Sequence, residues 1–154
     1  MSGVPGIRDA VPDDADALTS LFLASRRQAM PWLREAHSDE ETRWWMSNVV
    51  LRDLSVRVAT LDGAIAGFAA IRPGWLDHLY IVLSRQRAGL CARLLAEARR
   101  IGGDPLRLWV FQRNLAARAF YQRHGFVEEE RTDGAANEER EPDMRMIWSA
   151  ACTS

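Results

Sequence analysis

Two periodicities divide the chain. Apolar positions recur at helical spacing over some stretches and alternate with period two over others. Residues 4–10 predict a short first strand. Pro12-Asp13-Asp14 then opens a helix, with proline in the first turn and acids at the positive end of the dipole. Leu18, Leu21, Phe22 and Ser25 carry it to about Met30, where Pro31 stops it. Ser38-Asp39-Glu40-Glu41 has the form of a capping box and starts a second helix, which runs to about Val50. Residues 54–61 alternate and end at Asp62-Gly63, a hairpin turn, with return strands over 64–71 and 75–83. Leu90, Leu94, Leu95 and Ala98 mark a helix over 89–101 that stops at Gly102-Gly103. A buried strand over 106–111, a helix over 114–124, and closing strands over 126–132 and 144–148 complete the order. The expected fold class is therefore α/β (α+β), with about seven strands in one mixed sheet covered by about four helices.

At 154 residues the chain fits one domain, with a core large enough to stand without disulfides. Cys91 and Cys152 are too few for a disulfide framework. No stretch approaches the length of a membrane span, and Met1–Ala10 lacks the pattern of a signal peptide, so a reducing cytoplasm is the expected compartment. A formal net charge of −1 argues against a nucleic-acid partner held by overall basicity. All 20 cations are arginine, which removes lysine Schiff bases and a phosphate-loop lysine from the available chemistry. No metal-ligand pattern is present.

Two segments carry chemistry. Residues 79–95 read L-Y-I-V-L-S-R-Q-R-A-G-L-C-A-R-L-L, a strand running through a tight loop into a helix. Free backbone N–H groups at such a helix start, backed by the dipole, suit a pyrophosphate. Residues 106–126 read L-R-L-W-V-F-Q-R-N-L-A-A-R-A-F-Y-Q-R-H-G-F, in which Asn114 follows a buried strand and can cap the next helix.

These two segments resemble the GNAT superfamily of N-acetyltransferases. Gln86-Arg87-Ala88-Gly89-Leu90-Cys91 is similar to the family's [Q/R]-x-x-G-x-[G/A] loop, with Cys91 in place of the last small residue. Asn114-x-x-Ala117-Arg118-x-Phe120-Tyr121-x-x-x-Gly125-Phe126 is similar to its second signature, N-x-x-A-x-x-[F/L]-Y-x-x-x-G-F. The resemblance implies a mostly antiparallel sheet whose fourth and fifth strands splay to admit acetyl-CoA. It also implies that the backbone around Arg87, Ala88, Gly89, Leu90, Cys91 and Ala92 holds the pyrophosphate, with Gln86 at the loop's start, and that Arg118, on the helix over 114–124, is a further cofactor-binding residue. Leu79, Tyr80, Ile81 and Val82 would pair with the pantetheine arm, Asn114 would hydrogen-bond it, and Tyr121 would protonate the departing thiolate.

The proton on the attacking nitrogen leaves alternatives open. Asp77 and His78 both lie on the strand entering the cofactor loop, and as neighbours on a strand they are expected on opposite faces. Glu138, Glu139, Asp143 and His37 are further candidates acting through water. On the acceptor side, residues 128–143 carry a local net charge of −6, which would draw a cationic amine, and Asn137 lies within that loop. Trp32, Trp44 and Trp45 flank the first helices, where this family's acceptor pocket commonly lies. Adjacent Trp44 and Trp45 cannot both face the core, so one is free for substrate or a second copy of the chain. Trp109 and Trp148, on strands, are expected in the core. The resulting expectation is an acetyl-CoA-dependent N-acetyltransferase acting on a small amine; a non-catalytic acyl-CoA sensor or dimeric interaction module on the same fold is the alternative.

Overall fold

The computed structural model describes residues 4–82 and 89–150. Seven strands form one sheet in the order β1-β2-β3-β4-β5-β7-β6. They are β1 (Pro5–Asp9), β2 (Ser55–Leu61), β3 (Ala64–Arg72), β4 (Trp75–Ile81), β5 (Leu106–Phe111), β6 (Val127–Arg131) and β7 (Asp143–Trp148). The helices are α1 (Ala15–Ala29), α2 (Asp39–Trp45), the single turn α3 (Leu51–Asp53), α4 (Leu90–Gly102) and α5 (Leu115–Arg123). Every neighbouring pair of strands is antiparallel except β4 and β5.

The local signals act as their chemistry requires. Asp62 and Gly63 both take positive φ, at 54° and 81°, the geometry of a two-residue hairpin turn. Ser38 and Glu41 cap reciprocally: the Glu41 amide donates to Ser38 Oγ at 3.1 Å and the Ser38 amide to Glu41 Oε1 at 2.9 Å. The second helical stretch runs further than its periodicity suggests, because a π-helical turn over Met46–Val50 carries α2 into α3. That wider turn lets Met46 and Val50 both reach the core.

Two apolar layers cover the sheet. Leu90, Leu94, Leu95 and Ala98 of α4 pack with Leu106, Leu108, Met144, Met146 and Phe126 on one face. On the other, Leu18, Leu21 and Phe22 of α1 pack with Met46, Val50, Val58 and Phe68. Trp148 joins the first layer, where the Arg99 guanidinium lies 4.4 Å from its ring centroid. Trp109 departs from expectation: it stays 44% exposed, because β5, β6 and β7 carry a helix layer on one face and Trp109 points to the other.

Candidate active site

The site grows from β4. A bulge interrupts its pairing with β3: Ala70 faces His78 and Ile71 faces Leu76, leaving Asp77 between them. The extra residue resets the alternation, so Leu76 belongs to the α4 side while His78, Tyr80 and Val82 turn toward α1 and α2. Leu79 and Ile81 remain on the α4 side. The two candidate bases are thereby separated. Asp77 accepts from Arg72 Nε at 2.8 Å and does not line the cavity on the α1 side, whereas His78 does.

That cavity has a volume of about 810 Å³ and lies between α1, α2, the segment joining them and the β6–β7 loop. Its aromatic wall is Phe22, Trp44, Trp45 and His78. Trp45 and Phe22 meet the His78 ring nearly edge-on, at centroid distances of 5.1 and 5.8 Å. Burial among these rings, with the Arg26 charge adding to it and Asp77 opposing it, holds the His78 imidazole down at about 4. At neutral pH it is an uncharged hydrogen-bonding ring facing a cavity. Trp44, beside the partly buried Trp45, is 62% exposed at the rim.

Among the other sequence candidates, His37 and Glu138 line this cavity and hydrogen-bond each other at 3.0 Å, tying the α1–α2 connection to the β6–β7 loop. Trp32 and Asn137 do not line it. The Trp32 ring sits under the Arg113 guanidinium at 4.1 Å and against Phe111. The Asn137 amide organises its own loop, donating to the Glu141 carbonyl at 2.8 Å and to Asp143 at 3.1 Å. Phe22 and Arg26, four residues apart on α1, complete the cavity wall. Their helical spacing was the available signal for this pair.

On the opposite side of β4 the sheet opens. β4 and β5 make a single paired position, Trp75 with Arg107, and pair no further along β4. Gly89, at the start of α4, takes a φ of 75°, and a Cβ there would meet nothing within 4 Å, so its backbone faces open space. Leu90 is buried in the core, Cys91 is half-buried and Ala92 is exposed on the first turn. Burial pushes the Cys91 thiol up to about 11, leaving it protonated and a poor nucleophile. Gln86, Arg87 and Ala88 lie outside the described residues.

Across this opening, Asn114 caps α5 by accepting from the Ala117 amide at 3.3 Å. Its side-chain N–H groups make no bond among the described residues. The Arg118 guanidinium donates to the Gln112 carbonyl at 2.8 Å, bracing the turn that precedes the helix. Tyr121 packs on Phe126 at 5.5 Å, and burial, then the nearby Tyr80 and Cys91, raise its hydroxyl above the ordinary tyrosine value. A phenol in this environment keeps its proton throughout the neutral range.

The model of the acetyltransferase (GNAT) family matches residues 16–126, which span β4, the Gly89 turn and α5. The chain belongs to the GNAT acetyltransferase family. Solved structures agree on the fold. The apo form of YjaB from Escherichia coli superposes with a TM-score of 0.78 at 19% identity, covering 94% of this chain and 97% of that one. A GCN5-related N-acetyltransferase from Rhodopseudomonas palustris gives 0.76 at 22% identity, covering 97% and 98%. PaiA N-acetyltransferase from Thermoplasma acidophilum, solved in complex with coenzyme A, gives 0.73 at 23% identity, covering 95% and 99%. No curated protein matches the sequence.

Within this GNAT chain the acidic stretch is largely neutralised. Glu128 pairs with Arg131, Glu129 with Arg107 and Arg145, Glu130 with Arg145, Glu139 with Arg26, and Glu141 with Arg113. Glu138, on His37, is the cavity acid of this stretch without an arginine partner among the described residues. Among the described residues no group of three or more His, Cys, Asp or Glu side chains could hold a metal ion, and no helix is long and apolar enough to cross a membrane.

Proposed function

We propose that this GNAT protein moves an acetyl group from acetyl-CoA to the primary amine of a small substrate by direct transfer within a ternary complex. The observation that supports it is the arrangement around β4. On one side lie the unpaired strand edge, the open Gly89 turn and Tyr121; on the other lies a cavity lined in part by aromatic rings and presenting His78. Residues at the opening fit a long anionic donor. β4 offers backbone groups that β5 does not use, and α4 offers the amides and dipole of a 13-residue helix behind a turn with no side chain in the way. The PaiA relative's coenzyme A complex supports the same reading.

In the transfer the neutral amine nitrogen attacks the thioester carbonyl, a C–N bond forms, the C–S bond breaks, and the nitrogen releases its proton to solvent water. Tyr121 gives its proton to the leaving sulfur and regains one from solvent. The phenol is protonated at neutral pH, so it has a proton to give when the thiolate departs. An alkyl amine near 10.4 must first be neutral, at a cost of about 4.6 kcal/mol at pH 7. His78 is far too weak a base to take the ammonium proton at equilibrium. As a neutral ring in the cavity wall it accepts a hydrogen bond from the neutral amine, orienting the nitrogen lone pair. Packed against the Phe22 and Trp45 rings that bury His78, the nitrogen is favoured as the neutral amine over the ammonium ion, as the imidazole is favoured in its neutral form.

Incubating purified protein with acetyl-CoA and a broad amine panel, and following release of the free thiol, tests the proposal. Turnover with at least one amine is expected. Acetyl-CoA at a hundredfold excess over Kd should also add about 2.7 kcal/mol of stability. Stabilisation without turnover on any amine would instead support an acyl-CoA-binding module.

A further inference from the structure

Among the cavity charges, the half-buried Arg26 has most of its bonding capacity unused. Arg27, on its rim, is held by Glu35 and Asp39 at 2.6 Å each. Among the described residues, Arg26 has only a long contact to Glu139, at 3.4 Å, and its buried Nε has no acceptor. A guanidinium carries five donors in a planar fork matched to a carboxylate, and one long bond leaves most of that capacity unused. Its position adds a second constraint. Its Cζ lies 4.9 Å from the centroid of the Phe22 ring, the same ring whose edge meets His78, so the cation and the imidazole flank one phenylalanine. Arg34, also lining the cavity and exposed, makes no ion pair among the described residues. The aromatic part of the wall is Phe22, Trp44 and Trp45, with Trp44 presented at the rim.

We infer that the acceptor is an α-amino acid with an apolar or aromatic side chain. Its carboxylate docks on the Arg26 guanidinium, its amine meets His78, and its side chain lies on Trp44 and Trp45. An α-amino acid carries in one small molecule an amine for the neutral His78 ring and a carboxylate for the Arg26 guanidinium, the two groups that meet the same Phe22 ring. A simple diamine or polyamine would bring a second positive charge toward Arg26 and gain nothing from it. This inference rests on the acetyl-transfer reading above and specifies its acceptor.

The experiment compares phenylalanine with phenethylamine, and leucine with isoamylamine, as acceptors for the wild-type protein. Each amino acid should exceed its decarboxylated partner in kcat/KM by about tenfold or more, the range of a charge-assisted hydrogen bond. Arg26→Gln should bring that ratio down toward one, with melting temperature recorded to show that the variant is folded. The wild-type ratio needs no variant and decides alone: a ratio at or below one overturns the inference. Turnover confined to amines without a carboxylate overturns it too, while leaving acetyl transfer standing. Quenching of tryptophan fluorescence by phenylalanine in the presence of coenzyme A supplies a second readout. A quench that Arg26→Gln abolishes, with no turnover on any amine, supports the amino-acid site and counts against acetyl transfer. Absence of both quench and turnover counts against both.

Discussion

The edge of the Trp45 indole closes on the His78 ring at a centroid distance of 5.1 Å and an angle of 84°. This contact, together with those to Phe22 and Tyr80, keeps the imidazole neutral and makes it sensitive to acid. The unfolded chain takes up a proton on this histidine near 6.5, the folded chain only near 4. Above pH 6.5 both states are neutral and His78 contributes no pH dependence. Between 6.5 and 4 the unfolded state binds more protons, so stability falls as the pH falls, and below 4 the loss levels off. Between pH 7.5 and 5 the wild type should lose about 2 kcal/mol relative to His78→Phe, measured by urea unfolding at both pH values. Parallel losses in the two proteins would show that His78 is not held neutral by its surroundings.

Tyr121→Phe removes a hydroxyl that bonds to no described residue while leaving the ring on Phe126. Folding stability should change by less than about 0.5 kcal/mol. Turnover should fall by about 10²–10⁴-fold if the phenol protonates the leaving sulfur. Thiol release with a saturating amine measures it, and unchanged turnover would remove Tyr121 from the mechanism. A donor with a more acidic thiol should recover part of the loss, because a better leaving group needs less help.

At Gly89 the prediction separates conformation from crowding. The residue sits at φ 75° with open space where a Cβ would point, so Gly89→Ala suffers only the left-handed backbone penalty, about 1 kcal/mol. Asn, which tolerates that region better, should cost less than Ala. Acetyl-CoA affinity should drop for both if the backbone there holds the pyrophosphate. Calorimetric titration with acetyl-CoA, beside thermal melts, reads the two effects independently.

Much of this site was legible before folding. The Asn114 cap, the Gly89 turn and the Ser38–Glu41 box are local: each depends on a few neighbouring residues meeting a backbone requirement. The choice between Asp77 and His78 was not, since it turned on a bulge opposite Ala70 and Ile71 that places Leu76 and His78, two residues apart, on different faces. A bulge is fixed by pairing with another strand and leaves no period in its own. The same limit applied to Asn137, which looked like a cavity residue from its place in an acidic loop and instead holds Glu141 and Asp143. Arg26 was missed for a related reason. An arginine on the apolar face of α1 gains meaning only once Phe22 and His78 are seen beside it.

The charge pattern gives the last prediction. Residues 128–143 sum to −6 in sequence, a field that would speed the approach of a cationic amine and fade with salt. In the fold, five of those carboxylates are matched to arginines, and within the cavity Arg26, Arg27 and Arg34 stand against Glu35, Glu41, Glu138 and Glu139. Little long-range field remains. For the amine acceptor, kcat/KM should therefore change by less than about threefold between 20 and 300 mM NaCl, since electrostatic steering on the order of tenfold or more needs an uncompensated charged cleft. A drop of tenfold or more would mean that these pairs open in solution and the acids act together. Neutralising Glu138 alone, by Glu138→Gln, should accordingly raise KM more than any other single change in that stretch, because no arginine already offsets its charge at the cavity.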